Sequence, residues 1–135
     1  MTQKDKELLL KDLCARLPYD VKCQDVTLDF VGTMTDISRH DNMCKLYNDY
    51  GDNYTCFMVN CKPYLIPLSS ISEELKNFIR WKLTTPKYDS FDEESLEDLL
   101  NNNMQVVHYC YEHHLDINGL IERGLALEAP EGMYN

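Results

Sequence analysis

Leu9, Leu10, Leu13, Cys14 and Leu17 recur at helical spacing behind Thr2 and Asp5, which stand three apart as a capping box does, with Asp in place of the commoner Glu. The pattern predicts a first helix that stops near Arg16, because Pro18 forbids simple continuation. From Val21 to Leu68 the period changes from helical to two. "VKCQDV" sets Val21 and Cys23 against Lys22 and Gln24, and "LDFVGTMTDI" is rich in β-branched and aromatic residues, with Gly32 marking a bulge or bend. "RHDN" and "NDYGDN" read as turns on either side of "MCKLY". "YTCFMV" places Tyr54, Cys56 and Met58 on one face, and "CKPYLIPL", with two prolines, reads as an edge strand or extended exit. So few and such short strands cannot form a sandwich. They suit a small antiparallel bent sheet or an SH3-like barrel, with a helix covering what the sheet cannot bury alone.

Beyond Leu68 the pattern returns to helix. Ser70 and Glu73 have capping-box spacing ahead of Leu75, Phe78, Ile79 and Leu83. "TTPKYDS" reads as a linker. Ser90 and Glu93 open a short acidic helix striped by Leu96, Leu99 and Leu100, and "NNN" at 101–103 breaks or caps. A further helix is predicted from about Met104 to Leu115. After it, Gly119 and Gly124 mark turns, Leu120, Ile121, Leu125 and Leu127 pin the chain to the body, and the tail "EGMYN" reads as loose. The expected fold class is therefore α+β in a single domain over 1–135: helix 1–17, small sheet or barrel 21–68, helical part 69–130.

Charge sharpens this picture. Residues 1–83 hold 11 basic and 12 acidic side chains; residues 84–135 hold 2 and 11, a net of −9. That half repels nucleic acid and anionic membranes, whose binding rests on neutralising negative charge. A basic protein partner fits instead, and the docking face expected is Asp92, Glu93, Glu94, Glu97 and Asp98, opposite the leucine stripe. No apolar run approaches the roughly 20 residues that span a bilayer. The N-terminus "MTQKDKELLLKDL" lacks the apolar core of a signal peptide, so the expectation is a cytoplasmic chain whose six cysteines stay free, as small apolar fillers.

The densest chemistry is "HYCYEHH", residues 108–114. On a helix Met104, Val107, Tyr111 and Leu115 form the buried stripe, with His114 and His108 at its rims. Cys110 and His114 are four apart, but one helix supplies at most two well-placed ligands where zinc needs three or four. No third group orients a Cys–His nucleophile. His114 is expected to cap carbonyls at the helix C-terminus, where the dipole favours a donor, with His108 and His113 partly solvated. GxxxxGK[ST], GxGxxG and GxSxG are absent. No metal, cofactor or catalytic residue is expected.

"KELLLKDLCARLPY", "CKPYLIPLSSISEE" and "HHLDINGLIERGLALEAPEGMY" together resemble a group of short uncharacterised proteins of gut Bacteroidales genomes and their phage and other mobile elements. The group carries a tryptophan in the helix before the paired histidines, where this chain reads His108-Tyr109. The resemblance implies a small accessory protein and supplies no catalytic residue. The expected function is a non-enzymatic interaction protein that binds a basic protein partner through its acidic half, with homo-oligomerisation left open. The alternatives are a small-molecule or nucleotide binder using the barrel as a pocket and, behind it, a hydrolase or nuclease.

Overall fold

A computed structural model describes residues 1–70, 73, 77 and 104–134. Apart from residues 73 and 77, the helices and linker expected between 71 and 103 lie outside the described residues, and with them the acidic face at Asp92, Glu93, Glu94, Glu97 and Asp98.

Helix α1 spans Gln3–Arg16. Thr2 accepts from the Asp5 amide through its hydroxyl and donates its own amide to the Asp5 carboxylate, so the capping box is reciprocal. Pro18 opens a one-turn 3-10 helix, Leu17–Tyr19, which ends on Asp20 in the left-handed region. Leu9 and Leu13 are fully buried, with Leu8, Leu10 and Leu17 packed around the same core.

Five strands follow: β1 Lys22–Asp25, β2 Phe30–Ser38, β3 Met43–Tyr47, β4 Asn53–Phe57 and β5 Cys61–Leu65. They form a curled half-barrel in the order β4-β3-β2-β1-β5, each neighbouring pair antiparallel. A 3-10 turn, Met58–Asn60, links β4 to β5, so the run "YTCFMV" leaves the strand at Phe57. The bulge lies between Met34 and Asp36, not at Gly32. Gly32 is required for another reason: a Cβ there would sit 2.6 Å from the Tyr47 carbonyl oxygen. The β2 backbone passes too close to β3 for any side chain.

Two expectations about the sheet change. "CKPYLIPL" is no edge: β5 pairs with β1 on one side and, in parallel, with a sixth strand, β6 Leu127–Glu128, on the other. Pro63 is tolerated because β6 reaches only Tyr64 and Leu65. The sheet is therefore mixed, with its last strand donated by the C-terminal region. That region holds helix α2, Met104–Glu112, but from His113 onward it is turns and β6, not helix. The two glycines explain why. Gly119 and Gly124 both have positive φ, and a single helical turn closes on Gly124 with Leu125 N–H bonded to the Leu120 carbonyl at 2.9 Å. Leu120, Leu125 and Ala126 are thereby delivered into the core beside Leu9, Leu13, Val21 and Leu65.

Candidate functional site

The "HYCYEHH" helix ends in a manner the sequence pattern did not show. His114 takes a left-handed backbone, φ 61°. Its N–H bonds the Tyr111 carbonyl at 3.1 Å, and the Leu115 N–H bonds that of Cys110 at 2.8 Å. This is a Schellman closure with histidine where glycine is usual, at a backbone cost of about 1–2 kcal/mol. The expectation that the imidazole caps carbonyls is corrected: the backbone does the capping, and the ring stacks on Tyr134 at 3.7 Å between centroids. The Tyr134 hydroxyl accepts from the Lys22 N–H at 2.9 Å and donates to the Tyr64 carbonyl at 2.8 Å. The tail read as loose is thus fastened across β1 and β5. Burial first, then the Arg16 cation, holds the His114 pKa down to about 4, so the ring is neutral near pH 7. His113 and His108 are exposed as expected; His108 Nδ1 lies 3.3 Å from the Tyr19 hydroxyl.

Beside His114 lies a buried ion pair. Asp12 and Arg16 are both fully buried on α1, one turn apart, joined by Nε–Oδ1 at 2.5 Å and Nη2–Oδ2 at 3.1 Å. Arg16 Nη2 also donates to the Leu115 carbonyl at 2.6 Å, and the guanidinium covers the Tyr111 ring at 4.9 Å. Asn118 Nδ2 reaches Asp12 at 2.8 Å and the Tyr111 hydroxyl at 3.1 Å. Asp116 accepts the Leu120 and Ile121 amides at 2.8 and 3.0 Å. The knot ties α1 to the end of α2 and the turns after it. Its donors and acceptors are taken up by structural partners, apart from Arg16 Nη1 and His114 Nδ1, which have none among the described residues. Cys110, fully buried beneath it, has its thiol pushed up to about 12 by burial, which disfavours a nucleophilic thiolate.

A second cluster sits inside the half-barrel. Cys23 of β1, Cys44 of β3, Cys56 of β4 and Cys61 of β5 are all inward and at most 3% exposed. Cys44 and Cys56 are direct cross-strand partners, and Cys61 opposes Asp25, which shares a face with Cys23. All four belong to one core cluster with Met34, Leu46 and Leu65. All six cysteines are free. Among the described residues no group of three or more His, Cys, Asp or Glu is arranged to hold a metal ion. Alternation alone points Cys23, Cys44 and Cys56 inward. What places them in one core is the curl of the sheet, and no spacing in the sequence encodes it. Asp25 is buried at the same place, accepting from the Thr27 amide at 2.9 Å and the Thr27 hydroxyl at 2.6 Å.

Two open clefts stand out among the described residues. One, of about 340 Å³, runs between α1 and the β4–β5 link and includes Lys6, Leu10, Asn42, Phe57, Met58 and Val59. The other, of about 320 Å³, lies between the β1–β2 and β3–β4 turns and includes Lys22, Phe30, Val31, Tyr47, Asp49 and Tyr50. Phe57 is 60% and Tyr50 90% exposed. Among the described residues no helix is long and apolar enough to cross a membrane. Compared with protein-family models, with curated proteins and with solved structures, the chain finds no match.

Proposed function

We propose that the chain is a non-enzymatic interaction protein, an accessory protein of a mobile element, whose acidic C-terminal half engages a basic protein partner in the cytoplasm. The observation that carries this reading is the charge division, net −1 over residues 1–83 against net −9 over 84–135. The described residues add support of two kinds. Their buried polar groups are engaged in fastening the fold rather than converging on an open cleft. Phe57 at the end of β4 and Val59 in the turn after it are exposed apolar side chains that a partner can reach. The strand order, with a 3-10 turn before a fifth strand that returns to β1, supports reading the half-barrel as SH3-like, a scaffold that serves many unrelated functions.

The test is affinity capture from the native host by the wild-type chain and by the Glu93→Lys/Glu94→Lys/Glu97→Lys variant, at low and high salt. A basic protein held by wild type at low salt, released by salt and lost to the variant is the expected result. Equal capture by both would refute acidic docking. One specific observation favours a second reading, a small-molecule site. The cleft between the turns gathers Phe30, Tyr47 and Tyr50 around Lys22, a set able to stack on a ring and meet an anionic group. Thermal stabilisation by a nucleotide, lost on Tyr47→Ala, is what that reading requires.

A further inference from the structure

β4 ends the sheet, and among the described residues its only ladder is with β3. The phase of that ladder fixes which way its backbone faces. Met43 pairs with Phe57, Cys44 with Cys56 and Lys45 with Thr55, and the register runs to Tyr47 and Asn53 without a shift. Just beyond the two ends, the Met58 N–H bonds the Asn42 carbonyl at 2.8 Å and the Asn48 N–H bonds the Asp52 carbonyl at 3.0 Å. Hydrogen-bonded pairs alternate along an antiparallel ladder, so Tyr54 and Cys56 turn their N–H and C=O to β3. Asn53, Thr55 and Phe57 turn theirs the other way, and these same three residues are exposed.

An open row of this kind is a template for another strand, and proteins blunt it with charge, proline, a bulge or short length. The other end of the sheet is blunted by length, since β6 has two residues. β4 has none of these devices: "NYTCF" holds no charge and no proline, and its pairing with β3 has no bulge.

Two features say what pairs there. The first is charge. A basic partner gains nothing from an uncharged strand. Two copies of a chain of net −10 repel each other, and β4 lies in the near-neutral part, where pairing sets no like charges opposite one another. The second is self-complementarity. With Thr55 on a two-fold axis, Asn53 of each copy falls opposite Phe57 of the other, and the outward-facing residues meet in phase, with about six hydrogen bonds. The same alignment carries Asp52 of one copy past Met58 of the other and Tyr50 towards Asn60. Tyr50, in the β3–β4 turn, is 90% exposed, and the larger cleft is lined by Leu10, Phe57, Met58 and Val59 with Lys6 beside them. A ring is brought to an apolar cleft and a carboxylate to a cation, twice by symmetry.

We infer that the chain forms a symmetric dimer in which β4 pairs antiparallel with β4 of a second copy about Thr55, joining two half-barrels into one continuous sheet. Acidic docking plays no part in this dimer. The ladder is short and its contact belongs to the weak class, so the dissociation constant expected is about 100 μM.

Sedimentation equilibrium of the reduced full-length chain, from about 10 μM to about 1 mM, reads the association, and amide hydrogen exchange by NMR at both limits locates it. The expected result is a monomer that becomes a dimer. The Asn53, Thr55 and Phe57 amides should exchange about fivefold more slowly in the concentrated protein, while those of Tyr54 and Cys56, bonded to β3 throughout, stay unchanged. Thr55→Pro removes the N–H at the centre of the open row without touching the β3 ladder. Thr55→Lys sets two ammonium groups face to face across the axis. With the fold checked by circular dichroism, each should raise the dissociation constant about tenfold, the loss expected for two hydrogen bonds. A chain that stays monomeric throughout that range would overturn the proposal. So would a dimer that both variants leave intact, or protection that appears at other amides and not at Thr55. If Thr55→Pro fails to fold, Thr55→Lys, at an exposed position, still decides.

Discussion

Among the described residues, two buried clusters are built on opposite principles. The knot around Arg16 is polar and directional: two charges, an amide, a phenol and a backbone carbonyl, each at a set distance. The cysteine cluster is soft: four sulfurs in an apolar core, with no charge required. The first fastens helix to C-terminal turns and cannot lose one member without stranding another. The second fills the inside of the curl and tolerates change in proportion to volume. A buried charge pair does not add stability for being charged. It makes breakage expensive, and so fixes one arrangement of α1 against the chain end.

The largest expected effect follows from that asymmetry. Asp12→Ala leaves the fully buried Arg16 cation with a backbone carbonyl and a ring face only, and should destabilise the fold by about 3–5 kcal/mol. The double variant Asp12→Leu/Arg16→Met removes both charges and should recover most of that loss. Urea denaturation followed by circular dichroism measures both. If Asp12→Ala costs no more than an ordinary core truncation, the knot is not what holds α1 in place.

Next is the wall that encloses the softer cluster. Gly32→Ala drives a Cβ to 2.6 Å from the Tyr47 carbonyl oxygen, which is backbone and cannot swing away. β2 and β3 must separate, at a cost of about 3 kcal/mol on the scale of overpacking. An unchanged denaturation midpoint would mean that the two strands are not so closely apposed.

How much of this could be read from the chain depends on the element. α1, its capping box and its stop before Pro18 are local and were legible, as were the three strands from Phe30 to Phe57 and the turns between them. Asp12 and Arg16 were not: they lie on the polar side of a helical pattern and are buried because the chain end closes over them. β6 was hidden for the same reason. Two residues carry no period, and their pairing with Tyr64 and Leu65 is set by the glycine turns at 119 and 124. The inward direction of Cys23, Cys44 and Cys56 was legible, but their meeting was not, because curl is a property of the whole sheet. The histidine run drew attention by composition, yet its structural weight falls on the backbone of His114 and on Tyr134, twenty residues further along.

His114 lets the polar cluster be probed with protons alone. Its folded pKa, near 4, lies below the ordinary value of 6.5, so the unfolded chain takes up the proton first as pH falls. Stability from this residue is therefore fully present above pH 6.5 and is lost as pH drops from 6.5 through 4. The full shift corresponds to about 3 kcal/mol, and solvent screening at the ring edge brings the expected loss to about 2 kcal/mol. The facing groups are Arg16 and His113, which oppose protonation, and Asp20, which favours it. Replacing His114 with Gln, which does not titrate, should flatten the stability profile between pH 6.5 and 4 relative to wild type. An identical profile for the two proteins would place the titration elsewhere.

The smallest effect asks whether the thiol cluster is as soft as the comparison holds. Cys44 is 1% exposed, pairs across strands with Cys56 and shares the core with Cys61. Cys44→Ala removes that sulfur and leaves a small apolar void, with an expected cost of about 1 kcal/mol. Cys44→Ser keeps the shape but buries a hydroxyl in a core of apolar side chains and thiols, which are weak donors and acceptors. Serine should therefore be worse than alanine by about 1 kcal/mol, since an ill-satisfied buried hydroxyl loses more than it gains. Denaturant midpoints of the two variants, compared at one pH under reducing conditions, give the difference directly. If serine proves better than alanine, the thiols hold one another by directional hydrogen bonds strong enough for a hydroxyl to inherit. The half-barrel would then be tied at its centre by a polar network, as α1 is tied at Arg16, and the contrast between the two clusters would fail.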